Sequence, residues 1–287
     1  MSATGNVSGY SADLYDFERT FDHESFHSWL KEHWTLSVWY SVLYVVLVFA
    51  GRHYMNERPK FNLRAPLAIW STVLASFSIF GAVRTIPELV FMIRNYGFQG
   101  SVCSPAYFYG PTAFWAYLFT VSKLYELGDT AFIVLRKQPL IFLHWYHHVT
   151  VFIYVWYSYT DHTAPGRWFM VMNYTVHSFM YTYYSLKAMR VRLPGFINIF
   201  ITTIQILQML MGVVIVVKAY QYKAQGHFCQ QSAVNMQYCA AMYASYLILF
   251  MVFFYQTYLK PKPSSGQPAR AKETISNSVH QNGKKMD

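Results

Sequence analysis

Charged side chains supply only 13% of the 287 residues, about half the share of an ordinary soluble chain. That scarcity excludes both a disordered polar protein and a typical soluble enzyme. Three cysteines are too few for a disulfide scaffold or a four-thiolate zinc site. The first 33 residues are polar and acidic, with Asp13, Asp16, Glu18, Asp22, Glu24 and Glu32, so no cleavable signal peptide is expected. Nor is there an internal repeat. What is abundant is apolar: 54% hydrophobic and 20% aromatic residues, with 25 Tyr, 23 Phe and 8 Trp. Such a chain suits lipid interfaces and the enclosure of an apolar ligand. The net charge of +10 is not pooled on a soluble domain, so nucleic acid is not an expected partner. The expected fold class is an all-α polytopic membrane protein.

Seven stretches are apolar enough and long enough to cross about 30 Å of hydrocarbon. They lie near 34–50, 66–86, 112–135, 139–159, 167–187, 195–219 and 233–258. Breaks between them carry Arg58-Pro59-Lys60, Gln138-Pro139, Ala164-Pro165-Gly166 and Leu193-Pro194-Gly195, all turn-forming. Three segments follow: an N-terminal segment 1–33, a membrane domain 34–258, and a Pro/Ser/Lys-rich tail 259–287 that reads as disordered.

Fifteen Lys and Arg fall on one side of this topology and six on the other. The first set is Arg52, Arg58, Lys60, Arg64, Arg136, Lys137, Lys187, Arg190, Arg192 and six in the tail; the second is Arg19, Lys31, Arg94, Arg167, Lys218 and Lys223. The positive-inside rule then places the C-terminus in the cytosol and the N-terminus in the lumen. Asn6-Val7-Ser8 is an acceptor for N-glycosylation on that lumenal side, and Lys284-Lys285-Met286-Asp287 has the form of a dilysine retrieval signal of the endoplasmic reticulum. Cys103 and Cys229 fall in loops facing the oxidising lumen, which predicts a disulfide between them, with Cys239 a free thiol.

Ionisable groups inside spans are costly and mark functional cavities. The third span carries Lys123, Glu126, Asp129 and Thr130, an arc of about 120° on one helix face. The fourth carries His144-Trp-Tyr-His147-His148, three imidazoles within about 100°. The fifth carries Asn173, His177, Tyr181 and Tyr184, and the sixth Thr202, Gln205 and Gln208. All four clusters fall roughly 8–18 Å below the cytosolic surface. Gln205, Gln208 and Tyr184 also suit interhelical hydrogen bonding, and Lys123 with Glu126 a structural ion pair. Three histidines on one turn with a fourth on the next span are hard to read as packing.

Three chemistries use such a cluster. A metal-dependent desaturase or hydroxylase is one, yet only four of the 11 His lie in spans, since His23, His27, His33, His53, His162, His227 and His280 lie in tails, loops or span edges. That ligand supply is short for a di-iron pair. A proton-coupled transporter is the second. Acyl transfer is the third, because imidazole is a nucleophile and a base near neutral pH, and no cysteine lies near the cluster.

The four runs Lys123-x-x-Glu126-x-x-Asp129-Thr130, His144-x-x-His147-His148, His177-x-x-Met180-Tyr181-x-Tyr183-Tyr184 and Thr202-x-x-Gln205-x-x-Gln208 resemble the signature boxes of the fatty acid elongase family, in order on successive helices. The Trp-Tyr filling of the histidine box, with Gly51-Arg-His-Tyr-Met and Ser78-Ile-Phe-Gly81, looks like the branch acting on saturated and monounsaturated chains. The resemblance implies seven helices, six of them around a narrow tunnel closed toward the lumen. It implies a 3-oxoacyl-CoA synthase that joins a long-chain acyl-CoA of near sixteen carbons to malonyl-CoA. Neither a metal nor a redox cofactor is required. Expected partners are membrane lipid and the ketoreductase, dehydratase and enoyl reductase of the same cycle, with a homodimer left open. In that reading His147 is the nucleophile, with His144 and His148 beside it. His177 supports the adduct, Asp129 and Glu126 orient imidazole, and Lys123 balances their charge or faces the malonyl carboxylate. Asn173, Tyr181, Tyr184, Thr202, Gln205 and Gln208 line the substrate path, while Arg136, Lys137, Arg190 and Arg192 meet the CoA phosphates or simply follow the positive-inside rule.

Overall fold

The structure, a computed structural model, describes Tyr10 and residues 15–260. Asn6, Lys284 and Lys285, and with them the acceptor and retrieval sites, lie outside the described residues. The described chain is helical, with no strand. Two short N-terminal helices, α1 (Asp16–Arg19) and α2 (His23–His33), precede α3 (Leu36–Met55) and α4 (Arg64–Cys103). Next come α5 (Pro111–Glu126), α6 (Asp129–Leu135), α7 (Phe142–Thr160), α8 (Gly166–Ala188), α9 (Phe196–Ala224) and α10 (Ala233–Phe254), the last running on into a π-helical turn.

Four of these, α3, α4, α9 and α10 with its π turn, are long and apolar enough to cross a membrane. Helices α7 and α8 have the length but carry the histidines, tyrosines and asparagine that lower their hydropathy. The expected third span, 112–135, is divided: α5 stops at Glu126 and α6 starts at Asp129. The break falls at Gly128, where a Cβ would stand 2.9 Å from Trp70 Cζ2, so the indole of α4 packs directly on backbone. The second span also differs, because α4 continues well past residue 86. It bends at Gly97, whose φ of 67° lies in the left-handed region that glycine enters without steric cost.

Packing follows a cycle. Helix α4 lies along α8, α8 on α9, α9 on α10, α10 on α7, α7 on α5, and α5 on α4. Helix α3 stays outside this ring, against α6 and α7. Its outward residues Val42, Leu43, Val46 and Leu47 are exposed, as a lipid-facing surface requires. A disulfide joins Cys103, at the end of α4, to Cys229 between α9 and α10. Cys239 is free and buried. The end of α7 meets the same region, since Ala164 N–H donates to Gln230 and Gln230 N–H to Cys103. The first turns of α7 therefore lie at the opposite end of the ring, about 28 Å away.

The N-terminal segment is tied to the disulfide end. Glu18 accepts from Arg84 and from Trp115 Nε1 at 2.7 Å. His23 Nδ1 lies 2.9 Å from the Tyr159 hydroxyl, its Nε2 lies 2.9 Å from His162 Nε2, and His27 Nε2 reaches the Thr160 carbonyl. Burial first, then the neighbouring His27, push the His23 imidazole down to about 4, and the same causes bring His162 to about 4. An unfolded histidine takes up a proton below about 6.5, so the unfolded chain binds more protons over the interval between. The stability these two residues contribute is thus complete above pH about 6.5 and is lost as pH falls toward 4. Thermal unfolding in detergent should show a midpoint that drops on acidification. A His23→Gln, His162→Gln double variant should start lower and lose most of that slope; an unchanged slope would contradict the account.

Candidate active site

The histidine box sits where α7 begins. Pro139 blocks helix in what precedes it, Ile141 is extended, and the helix starts at Phe142. Its first two turns therefore carry His144, His147 and His148 at the spacing that puts side chains on one face. The His144 and His148 rings lie 4.5 Å apart and those of His147 and His148 5.8 Å, while Tyr246 of α10 packs 4.8 Å from His147. These three imidazoles and His177 of α8 line one cavity of about 570 Å³.

Of the other candidates, Asp129, Tyr181, Tyr184, Gln205 and Arg136 also line that cavity. Lys123, Glu126 and Asn173 form a layer behind it. Lys123 Nζ donates to Glu126 Oε1 at 2.7 Å and to Asn173 Oδ1 at 2.8 Å, and Ser122 also donates to Glu126. An ammonium has only donors, so Asn173 must turn its oxygen to Lys123 and its amide NH₂ to His177. That amide lies 3.0 Å from His177 Nε2. Neutral His177 consequently accepts at Nε2 and carries its proton on Nδ1, which faces Glu126 Oε2 at 3.9 Å.

This corrects the expected roles of the carboxylates. Asp129 bonds no imidazole: its two oxygens accept 2.6 Å hydrogen bonds from Trp70 Nε1 and the Tyr181 hydroxyl. Glu126 is beyond hydrogen-bond reach of His177, and Asn173 sets that tautomer. Thr202 and Gln208 are buried on α9 away from the cavity wall, with Thr202 bonded to the Asn198 carbonyl and Tyr258. Lys137 also faces elsewhere, donating to the carbonyls of Asn56 and Arg58. Arg190 and Arg192 are exposed beyond the end of α8 and do not line the cavity.

Several lining residues were not singled out by sequence. Ser71 comes from α4, Arg64 from its first turn, and Lys187 from the last turn of α8; Trp70 of α4 does not line the cavity itself but donates to Asp129, which does. Arg64 and Lys187 were visible only as members of the positive side; the one signal for Trp70 was an aromatic N–H within a span, which needs a buried partner. With Arg136 they place three cations on the cavity wall.

Chemically, the cavity offers nitrogen bases, hydroxyls and cations, with no thiol beside them. Among the described residues no three His, Cys, Asp or Glu are placed to hold a metal ion. His147 stands apart from its neighbours: its Nδ1 is buried with no hydrogen-bond partner. An unpaired buried nitrogen costs free energy and calls for a functional reason.

Residues 29–266 match the ELO family, described as GNS1/SUR4. The chain is 50% identical over 272 residues to very long chain fatty acid elongase 6 of Drosophila melanogaster, covering 93% of this chain and 86% of that one. It is 48% identical to very long chain fatty acid elongase 6 of Homo sapiens over 88% of this chain and 96% of the relative. Against very long chain fatty acid elongase 3 of Homo sapiens the identity is 42%, over 86% and 91%.

Proposed function

The chain belongs to the ELO family of fatty acid elongases, and from that premise we propose that its histidine cavity is the condensing centre of acyl-chain elongation. A long-chain acyl-CoA, saturated or monounsaturated and near sixteen carbons, and malonyl-CoA give 3-oxoacyl-CoA, CoA and carbon dioxide. The observation that carries the reading is His147, which lines the cavity and whose buried Nδ1 has no hydrogen-bond partner.

In the proposed sequence the imidazole lone pair of His147 attacks the thioester carbonyl and the C–S bond breaks. CoA leaves as the thiol with the proton the imidazolium sheds, and acyl-imidazole remains. Malonyl-CoA then loses carbon dioxide, and the electron pair of that C–C bond becomes the enolate that attacks the acyl carbon. The C–N bond breaks, and the imidazolate regains a proton. Each step balances without a metal or redox cofactor. His177, on the facing helix α8 and on the wall of the same cavity, supports the adduct. Arg64, Arg136 and Lys187 hold the CoA phosphates, Arg by paired N–H donors and Lys as a point charge. The same reading takes seven crossings with six around the acyl tunnel, residence in the endoplasmic reticulum, and the cavity mouth toward the cytosol.

Purified protein in lipid nanodiscs, given malonyl-CoA and acyl-CoAs of graded length, should form 3-oxoacyl-CoA two carbons longer and release carbon dioxide. Arg64→Gln and Lys187→Gln should each raise KM for acyl-CoA by about tenfold, as lost charge-assisted hydrogen bonds do. Absence of malonyl-dependent product would defeat the reading and favour the proton-coupled transporter.

A further inference from the structure

We propose that Tyr44, on the outer helix α3, is a positioning residue of the histidine site: through Thr130 it fixes the tautomer of His144. This rests on the condensing reading above for its purpose, though not for its geometry. No residue of α3 lines the histidine cavity. Yet the Tyr44 hydroxyl lies 2.7 Å from Thr130 Oγ1, and Thr130 Oγ1 lies 2.9 Å from His144 Nε2. Thr130 is wholly buried and Tyr44 is 7% exposed.

Counting protons decides the direction. The chain has three heteroatoms, and each hydroxyl brings one proton. If His144 carried its proton on Nε2 and donated it to Thr130, Thr130 would donate to Tyr44. The proton of Tyr44 would then be left among Leu47, Val48 and Leu127, which line the apolar groove on that side. A buried donor without an acceptor is disfavoured. The reverse order uses both hydroxyl protons: Tyr44 donates to Thr130, Thr130 donates to Nε2, and neutral His144, which lines the polar cavity, carries its proton on Nδ1.

His177 reaches the same state by another route, through Lys123 and Asn173. Two histidines of the same cavity as His147 are thus held as Nδ1–H tautomers by partners outside that cavity, while His147 Nδ1 has no hydrogen-bond partner. A neutral donor of fixed orientation is what a tetrahedral oxyanion needs, because it requires no rearrangement when charge develops. Helix α3, outside the ring, then acts on the chemistry by setting one proton's position.

The test is nitrogen NMR of ¹⁵N-histidine-labelled protein in nanodiscs, with His144 assigned by the signal lost in His144→Gln, alongside steady-state kinetics. Wild type should show His144 protonated at Nδ1. Tyr44→Phe and Thr130→Val should give mixed tautomers and lower kcat by about three- to tenfold, the worth of one hydrogen bond, with KM for acyl-CoA unchanged. Thr130→Ser, which keeps the hydroxyl, should keep the Nδ1–H tautomer. Protonation of His144 at Nε2 in wild type, or an unchanged tautomer and kcat in Tyr44→Phe, would overturn the proposal. Should wild type show the Nδ1–H tautomer but form no condensation product, the relay stands and the functional reading falls.

Discussion

His147→Ala should abolish condensation, lowering kcat by at least about a thousandfold while leaving the fold intact. The size follows from the proposed role of His147 as the covalent nucleophile rather than one of several bases. The intact fold follows from the structure, because His147 Nδ1 has no partner to lose. A His147→Ala protein should therefore unfold near the wild-type temperature, whereas loss of Asn173 or Lys123 disturbs a buried network. The covalent route makes a sharper demand before malonyl-CoA is added. Wild type mixed with acyl-CoA alone should release one CoA per active site and gain one acyl mass on the peptide holding residues 144–148, and His147→Ala should do neither. Condensation without that burst would make His147 or His148 a base only; full activity in His147→Ala would remove His147 from the chemistry altogether.

Glu88→Gln should destabilise the protein by about 3–5 kcal/mol, the cost of leaving a buried charge without its counterion. Arg167, at the start of α8, is the largest wholly buried side chain. Its Nε donates to both oxygens of Glu88 on α4, at 2.8 and 3.1 Å, and its Nη1 donates to the Ser101 carbonyl at 2.7 Å. Ser101 lies beyond the bend at Gly97, so the guanidinium clasps both parts of α4. Its Nη2 is already unpaired, so that nitrogen has no acceptor to take over from Glu88. A Glu88→Leu, Arg167→Met pair removes both charges and should recover most of the loss. Thermal and denaturant unfolding of the three proteins in one detergent measures this; a Glu88→Gln protein as stable as wild type would refute it.

The same arginine marks where sequence reading fails. By sequence Arg167 follows Pro165-Gly166 and counts as one more loop base, because its partner Glu88 is 79 residues away and no local pattern links them. What periodicity carries, by contrast, was legible: His144, His147 and His148 share a face because a helix repeats every 3.6 residues, and they do line one cavity with His177 and Asp129. The basic wall was legible only in part: Arg136 lines the cavity as expected, while Lys137, Arg190 and Arg192 do not. Lys137 and Arg190 adopt positive φ, 53° and 68°, just past the ends of α6 and α8, where glycine is the usual residue. Those left-handed turns carry Lys137 back toward the loop after α3, while Arg64 and Lys187 face the cavity. Nothing in the residue types announces such a turn, so direction at a helix end has to be seen in space. The division at Gly128 was hidden for a related reason: a glycine inside an apolar run is ordinary until a particular indole is found resting on it.

Closure of the ring also has a timetable. The link from Cys103 to Cys229 spans 126 residues, and helices α5 through α9 are synthesised between the two halves of the bond. At the usual pace of translation, Cys103 waits about 6–25 s for its partner. For that interval α4 has no covalent anchor, and the ring lacks α10, which joins α9 to α7. A polypeptide halted anywhere before residue 229 keeps a reactive thiol at position 103, and only a chain that has reached the threshold of α10 can lose it. The staple thus records that nearly the whole bundle has been made, and an unbridged Cys103 is the chemical mark of an unfinished one.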